Sequence, residues 1–290
     1  MTIAALVAFT AAGAGATDRA PLPIAHIAYQ PRERLMAVSV HITGYESRAL
    51  TFVVDTGARH TVIDRAVAHA LRVRVISADR MAGAGKGTVT MQHAVPLTFT
   101  IGNARLTVTD PWILDLNHPE MAGHLDGLLG ADFFAKYIVR IDPVARTLEV
   151  YLPETIIDDR AGSAIPLYDI DNRLFVDAKL TVGSTIQTHR VRIDTGSGDA
   201  LSDDIVRLAK YQVRARQGVG LGQSYVDVSG LIDRVQLGPY EIFRSWGASN
   251  SRPAMGMELL RRFTCTVDVP HGLLRLRPNA RYRDSVPAPR

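Results

Sequence analysis

The sequence predicts an all-β chain of two related lobes about a pseudo-twofold axis, with short helices. Three observations predict it. The triplet Asp-Thr-Gly occurs twice, as Asp55-Thr56-Gly57 and Asp194-Thr195-Gly196, behind the runs Thr51-Phe52-Val53-Val54 and Val191-Arg192-Ile193. Short runs of partly alternating apolar and polar residues, bounded by Gly, Pro, Asn and Asp, fill most of the chain and read as antiparallel strands. The second half also replays the first: Gly130-Ala131-Asp132-Phe133-Phe134 aligns with Gly256-Met257-Glu258-Leu259-Leu260 at an offset of 126, with no gap from Gly130 to Leu152.

The elements follow in order. Met1 to Ala16 is small and apolar and ends Ala14-Gly15-Ala16, like the later part of a secretory signal, although no Lys or Arg precedes it. The expectation is export to the periplasm or outside; the other reading is a plain chain end. Residues 17–34 form an N-terminal extension, and residues 35–152 a first lobe. Within it, strands lead through the Gly44 turn to Asp55, and a short helix over Arg65 to Leu71 is capped by Asp64. The tip Gly83-Ala84-Gly85-Lys86-Gly87 lies between strand-like flanks, and Gly102-Asn103 turns the next pair. Residues 153–165, with Pro153 and Asp158-Asp159, read as a linker, residues 166–278 as the second lobe and 279–290 as a basic tail.

The repeat covers more than the triplets. These are offset by 139, the glycine tips Gly83-Gly85-Gly87 and Gly218-Gly220-Gly222 by 135, and the turn glycines Gly102 and Gly238 by 136. Equivalent residues of two such copies meet near their axis, as across an isologous interface. Asp55 and Asp194 are those residues.

The residues Val53-Val54-Asp55-Thr56-Gly57-Ala58 with Gly127-Leu128-Leu129-Gly130, and Ile193-Asp194-Thr195-Gly196-Ser197 with Ala254-Met255-Gly256, resemble the aspartic peptidases. Each half is retropepsin-like, and the pair on one chain is pepsin-like. The resemblance implies a two-lobed aspartic-protease fold and an endopeptidase, with Asp55 and Asp194 as its dyad. It further implies that Thr56 and Thr195 hydrogen-bond across the axis, that Gly57 and Gly196 permit close approach, and that the glycine tips act as flaps. The chain departs from pepsins in lacking a clear flap tyrosine and disulfides, and in having two flap-like tips.

Two carboxylates a few ångströms apart cannot both ionise cheaply, so such a pair holds one proton. The ionised member takes a proton from water, and the protonated one donates to the carbonyl oxygen. Ser197 is placed to donate to Asp194, whereas Ala58 cannot serve Asp55, so Asp55 is expected to carry the proton. Arg59 and His60, with Asp199 in the other half, are expected at the substrate cleft, together with Gly83, Gly85, Gly87, Gly218 and Gly220.

Other chemistries find little support. The single Cys265 excludes an internal disulfide, and its strand setting suggests a small packed hydrophobe. The nine histidines show no H-E-x-x-H, so no metal and no cofactor are expected. Lys86 in the glycine tip lacks the flanks of a phosphate loop, and Asp169, Asp171 and Asn172 lack the Gly and terminal acid of a calcium loop. Net charge is +4, with arginines gathered at the end, but no nucleic-acid motif accompanies them. The expected partner is a peptide or protein substrate, met by a monomer without a membrane span in the mature chain. Two alternatives stay open: a silent peptide-binding module keeping the fold, and a homodimer formed through each triplet separately.

Overall fold

The computed structural model describes residues 21–45, 48–82, 87–117, 124–158, 162–217 and 224–285. The signal-like segment, most of the first glycine tip, Gly218, Gly220 and the last five residues lie outside them. The chain is all-β. Among the described residues the α-helices are short: Arg65–Ala70, Ala131–Lys136 and Met257–Leu260. Asp64 caps the first, its Oδ1 accepting from the Ala66 N–H at 3.0 Å, and Asp203, offset by 139, accepts from Ile205 N–H at 2.8 Å.

The two lobes share one strand order. In the first, the hairpin Val75–Ala82 and Thr88–Ala94 is followed by Trp112–Leu114, Val62–Asp64, Gly127–Leu129, Leu50–Val54 and Leu35–Ile42. In the second, Gln212–Gln217 and Tyr225–Leu237 are followed by Tyr240–Ala248, Leu201–Ser202, Ala254–Met255, Thr185–Ile193 and Leu174–Val182. The lobes differ where sequence chemistry differs. Pro96 has no N–H to give a ladder and separates Thr88–Ala94 from Leu97–Ile101, whereas the corresponding Tyr225–Leu237 runs unbroken. The turn glycines Gly102 and Gly238 both sit in the left-handed region, at φ 57° and 53°.

A third, six-stranded sheet joins the lobes in the order Ala25–Ala28, Thr147–Tyr151, Ile138–Asp142, Phe263–Asp268, Leu273–Pro278 and Ser163–Pro166. At its centre Val139 faces Val267, Arg140 faces Thr266 and Ile141 faces Cys265. Adding 126 to 139, 140 and 141 gives 265, 266 and 267, so the pairs Val139–Val267 and Ile141–Cys265 are images of each other. The local twofold passes through Arg140 and Thr266. Residues assigned to the extension and to the linker thus supply the two outer strands of this sheet.

A continuous apolar core runs through both lobes and the shared sheet, from Phe52 and Phe99 to Phe133, Phe263 and Leu276. Cys265 is buried in it, and burial pushes its thiol up to about 12. It packs as a small hydrophobe rather than acting as a nucleophile. Asp142 and Asp268 sit at equivalent turns. Asp142 Oδ1 accepts from the N–H groups of Val144 and Ala145, and Asp268 Oδ1 from that of His271. Asp171 and Asn172 are the two left-handed residues of a tight hairpin turn (φ 53° and 55°).

Candidate active site

Each Asp-Thr-Gly leaves the end of a strand that is paired in parallel with a second short strand. Leu128 and Leu129 lie beside Val53 and Val54, and Ala254 and Met255 beside Arg192 and Ile193. The Asp55 N–H donates to Leu129 O and the Asp194 N–H to Met255 O, both at 2.9 Å. Both aspartates are thereby fixed in backbone position by the repeated hydrophobic-Gly element.

The two loops interlock through their threonines. Thr56 N–H donates to Thr195 Oγ1 and Thr195 N–H to Thr56 Oγ1, both at 3.0 Å. Thr56 Oγ1 then donates to Ile193 O and Thr195 Oγ1 to Val54 O, both at 2.8 Å. Both threonines are buried. Thr195→Val strands the Val54 carbonyl and the Thr56 N–H, and each buried unsatisfied group costs about 1–3 kcal/mol. The expected result is a melting temperature lower by roughly 5–10 °C, measured by calorimetry; an unchanged value would show that the threonines do not tie the lobes together.

The glycines explain why the carboxylates face each other. A Cβ on Gly57 would collide with the Asp194 carboxylate, and one on Gly196 with that of Asp55. Each carboxylate is therefore packed against the opposite loop, where any side chain would displace it.

The pair is not electrostatically symmetric. Asp55 Oδ1 accepts from the N–H groups of Gly57 (2.8 Å) and Ala58 (3.2 Å). Burial first, and the Asp194 charge second, nevertheless push Asp55 from its ordinary 3.8 up to about 7. Asp194 is held differently. The Arg192 guanidinium donates through Nη2 to Asp194 Oδ2 at 2.6 Å. The expected Ser197–Asp194 hydrogen bond is replaced by this one, while Ser197 Oγ accepts from the Asp199 N–H at 3.2 Å. Ser197 therefore does not distinguish the two carboxylates; burial and the Asp194 charge, which raise Asp55, do.

A raised carboxylate pKa has a thermodynamic consequence. Asp55 binds a proton more tightly folded than unfolded, so the stability it contributes is full below about pH 4 and is lost as pH rises through about 7. Asp55→Asn, which cannot ionise, should raise the melting temperature at pH 8 by several degrees and by progressively less toward pH 4. Equal effects at both pH values would contradict the raised pKa.

The remaining sequence-named residues are distributed unevenly. His60 is half-buried and stacked on Trp112 (ring centroids 4.4 Å apart), and burial lowers its pKa. Arg59 is half-buried, and its Nε is buried without a hydrogen-bond partner. Asp199 is exposed beside the second triplet, and Gly87 stands in open space with φ 88°. Gly83, Gly85, Gly218 and Gly220 lie outside the described residues, although the hairpins that carry both tips are present.

Sequence reasoning missed three groups. Arg192 stands where the first lobe has Val53, a difference that alignment of the two halves displays. Arg34, from the N-terminal extension, donates to Gly198 O (3.1 Å) and pairs with the buried Glu258 (3.1 Å), which Arg261 also holds at 2.6 Å. Trp112 donates to Asp110 and supports His60. Asp132 and Glu258 are equivalent in sequence yet act differently. Asp132 accepts from the Thr61 hydroxyl and N–H, but the second lobe has Ala200 there and offers no hydroxyl.

No helix among the described residues is long and apolar enough to cross a membrane. A comparison with curated proteins returns no match. Residues 38–133, from within the strand Leu35–Ile42 to the helix after Gly130, match the family model described as aspartyl protease, so the first lobe is similar in sequence to that family.

Proposed function

We propose that the protein is an aspartic endopeptidase in which Asp55 and Asp194 activate one water between the lobes. The observation that carries this reading is the mutual packing of each carboxylate against the opposite triplet, with Asp55 raised to about 7 beside an ion-paired Asp194. Asp194, ion-paired with Arg192, takes a proton from the attacking water. Its Oδ2 is engaged by the guanidinium, and Oδ1 is the oxygen nearest Gly57. Protonated Asp55 donates to the substrate carbonyl as negative charge develops on its oxygen. No covalent intermediate with the chain is needed.

Incubating the protein with a mixed peptide library from pH 3 to 8, with and without pepstatin, tests the reading. Internal cleavage that pepstatin suppresses supports it, and intact peptides at every pH overturn it. A second reading, a peptide-binding module that does not cleave, draws on the same Arg192–Asp194 pair, because that contact occupies an oxygen of the dyad. Tight binding of uncut peptides would favour it.

A further inference from the structure

More positive charge surrounds the dyad than its ion pair uses. Residues two apart on a strand share a face, so Arg192 projects on the same side as Asp194. The hairpin register pairs Phe175 with Arg192. Continuing the same alternation assigns Arg173, Phe175, Arg192 and Asp194 to one strand face. Arg173 is placed there by the tight turn at Asp171-Asn172, closed by Ile170 N–H to Arg173 O (2.9 Å) and Arg173 N–H to Ile170 O (3.1 Å). Two left-handed central residues define the type I′ hairpin, a stiff mount for the side chain that follows.

Arg59 follows Asp55 by four residues in the other lobe, and its charge acts on Arg173. Burial lowers the Arg173 pKa, and the charges of Arg59, Arg192 and Arg252 lower it further, with Asp171 of its own turn pulling the other way. Among the described residues neither Arg59 nor Arg173 makes an ion pair. The buried Nε atoms of Arg59 and Arg192 have no hydrogen-bond partner. Like charges crowded at half-buried positions, with unsatisfied donors, destabilise the free protein and call for an anion that the described residues do not supply.

We propose that Arg59, Arg173 and Arg192 form a carboxylate-binding subsite beside the dyad, so that cleavage occurs at bonds flanked by a carboxylate of the substrate. The proposal rests on the endopeptidase reading and names its substrate class. A guanidinium presents several donors in a plane and engages a carboxylate through two of them. Arg192 keeps Nη2 on Asp194 and adds its charge to the subsite, while Arg59 and Arg173 supply the donors for the incoming group. The carboxylate is that of an Asp or Glu side chain or of a chain end, and peptide design separates the two sources.

The experiment measures kcat/KM on matched peptides with Glu or Gln at each position flanking the cut, each made with a C-terminal acid and a C-terminal amide. The wild type should favour Glu over Gln, or acid over amide, by about tenfold or more, the worth of one charge-assisted hydrogen bond. Arg173→Glu and Arg59→Glu should invert the preference, so that Gln is favoured over Glu at the same position, with the change mainly in KM. Arg173→Gln, a milder change should the reversal fail to fold, should bring the ratio close to one. Equal cleavage of all peptides by the wild type, or a Glu preference that survives Arg173→Glu, overturns the subsite and leaves the peptidase reading intact. Absence of any cleavage by the wild type overturns both.

Discussion

Asp55→Asn and Asp194→Asn each lower kcat/KM for peptide cleavage by about 10³-fold or more, while both variants keep the wild-type fold. The size follows from what is removed. Positioned proton transfer alone contributes about 10²–10⁴, and either substitution removes one partner of a pair that works as a unit, so the two losses do not add. Folding is kept because an Asn oxygen at position 55 still accepts from the Gly57 and Ala58 N–H groups, and the threonine interlock beneath involves neither carboxylate. Rates on one peptide at the optimum pH, with circular dichroism as the control, decide it. A variant that folds and retains more than about a tenth of wild-type activity would show that its carboxylate is not a member of the dyad. Loss in one variant alone would mean that the two triplets do not form a shared site.

The parts of this site that sequence displays are those fixed by local backbone chemistry. An apolar strand, an Asp and a Gly in succession specify a strand end and a tight turn wherever they occur, and the 126- and 139-residue offsets then pair the two copies. Asp64 as a helix cap and Gly102 and Gly238 as turns are legible for the same reason. Contacts that depend on lobe assembly are not. Nothing local reveals that Ala25–Ala28, four residues with a short alternation, pairs with Thr147–Val150. The partner of Asp194 was sought at Ser197 because that residue adjoins the triplet. The guanidinium two residues before it is nearer in space, since both side chains leave the same strand face. Glu258 repeats the position of Asp132, but the absence of a hydroxyl at Ala200 leaves it to be neutralised by Arg34, which approaches from more than two hundred residues away in sequence.

Arg192→Leu, assayed on a peptide without carboxylates, shifts the basic limb of the pH–rate profile upward by about one unit, within the usual span for a carboxylate beside a charge that is removed. The sign follows from Asp55. Arg192 pairs with Asp194 at 2.6 Å, and its charge lowers Asp55 from where burial and Asp194 alone would put it. Without it, Asp55 keeps its proton beyond pH 7, and the protonated form that donates to the substrate carbonyl persists to higher pH. Near pH 8 the variant then keeps a larger share of its own maximal rate than the wild type does. The limb belongs to the coupled pair rather than to a single residue. Arg192→Lys restores the charge and returns the limb toward its wild-type position, though without the planar fork. A guanidinium that merely braced the strand would instead scale the rate at every pH and leave the limb where it was, and that outcome would remove Arg192 from the control of the dyad.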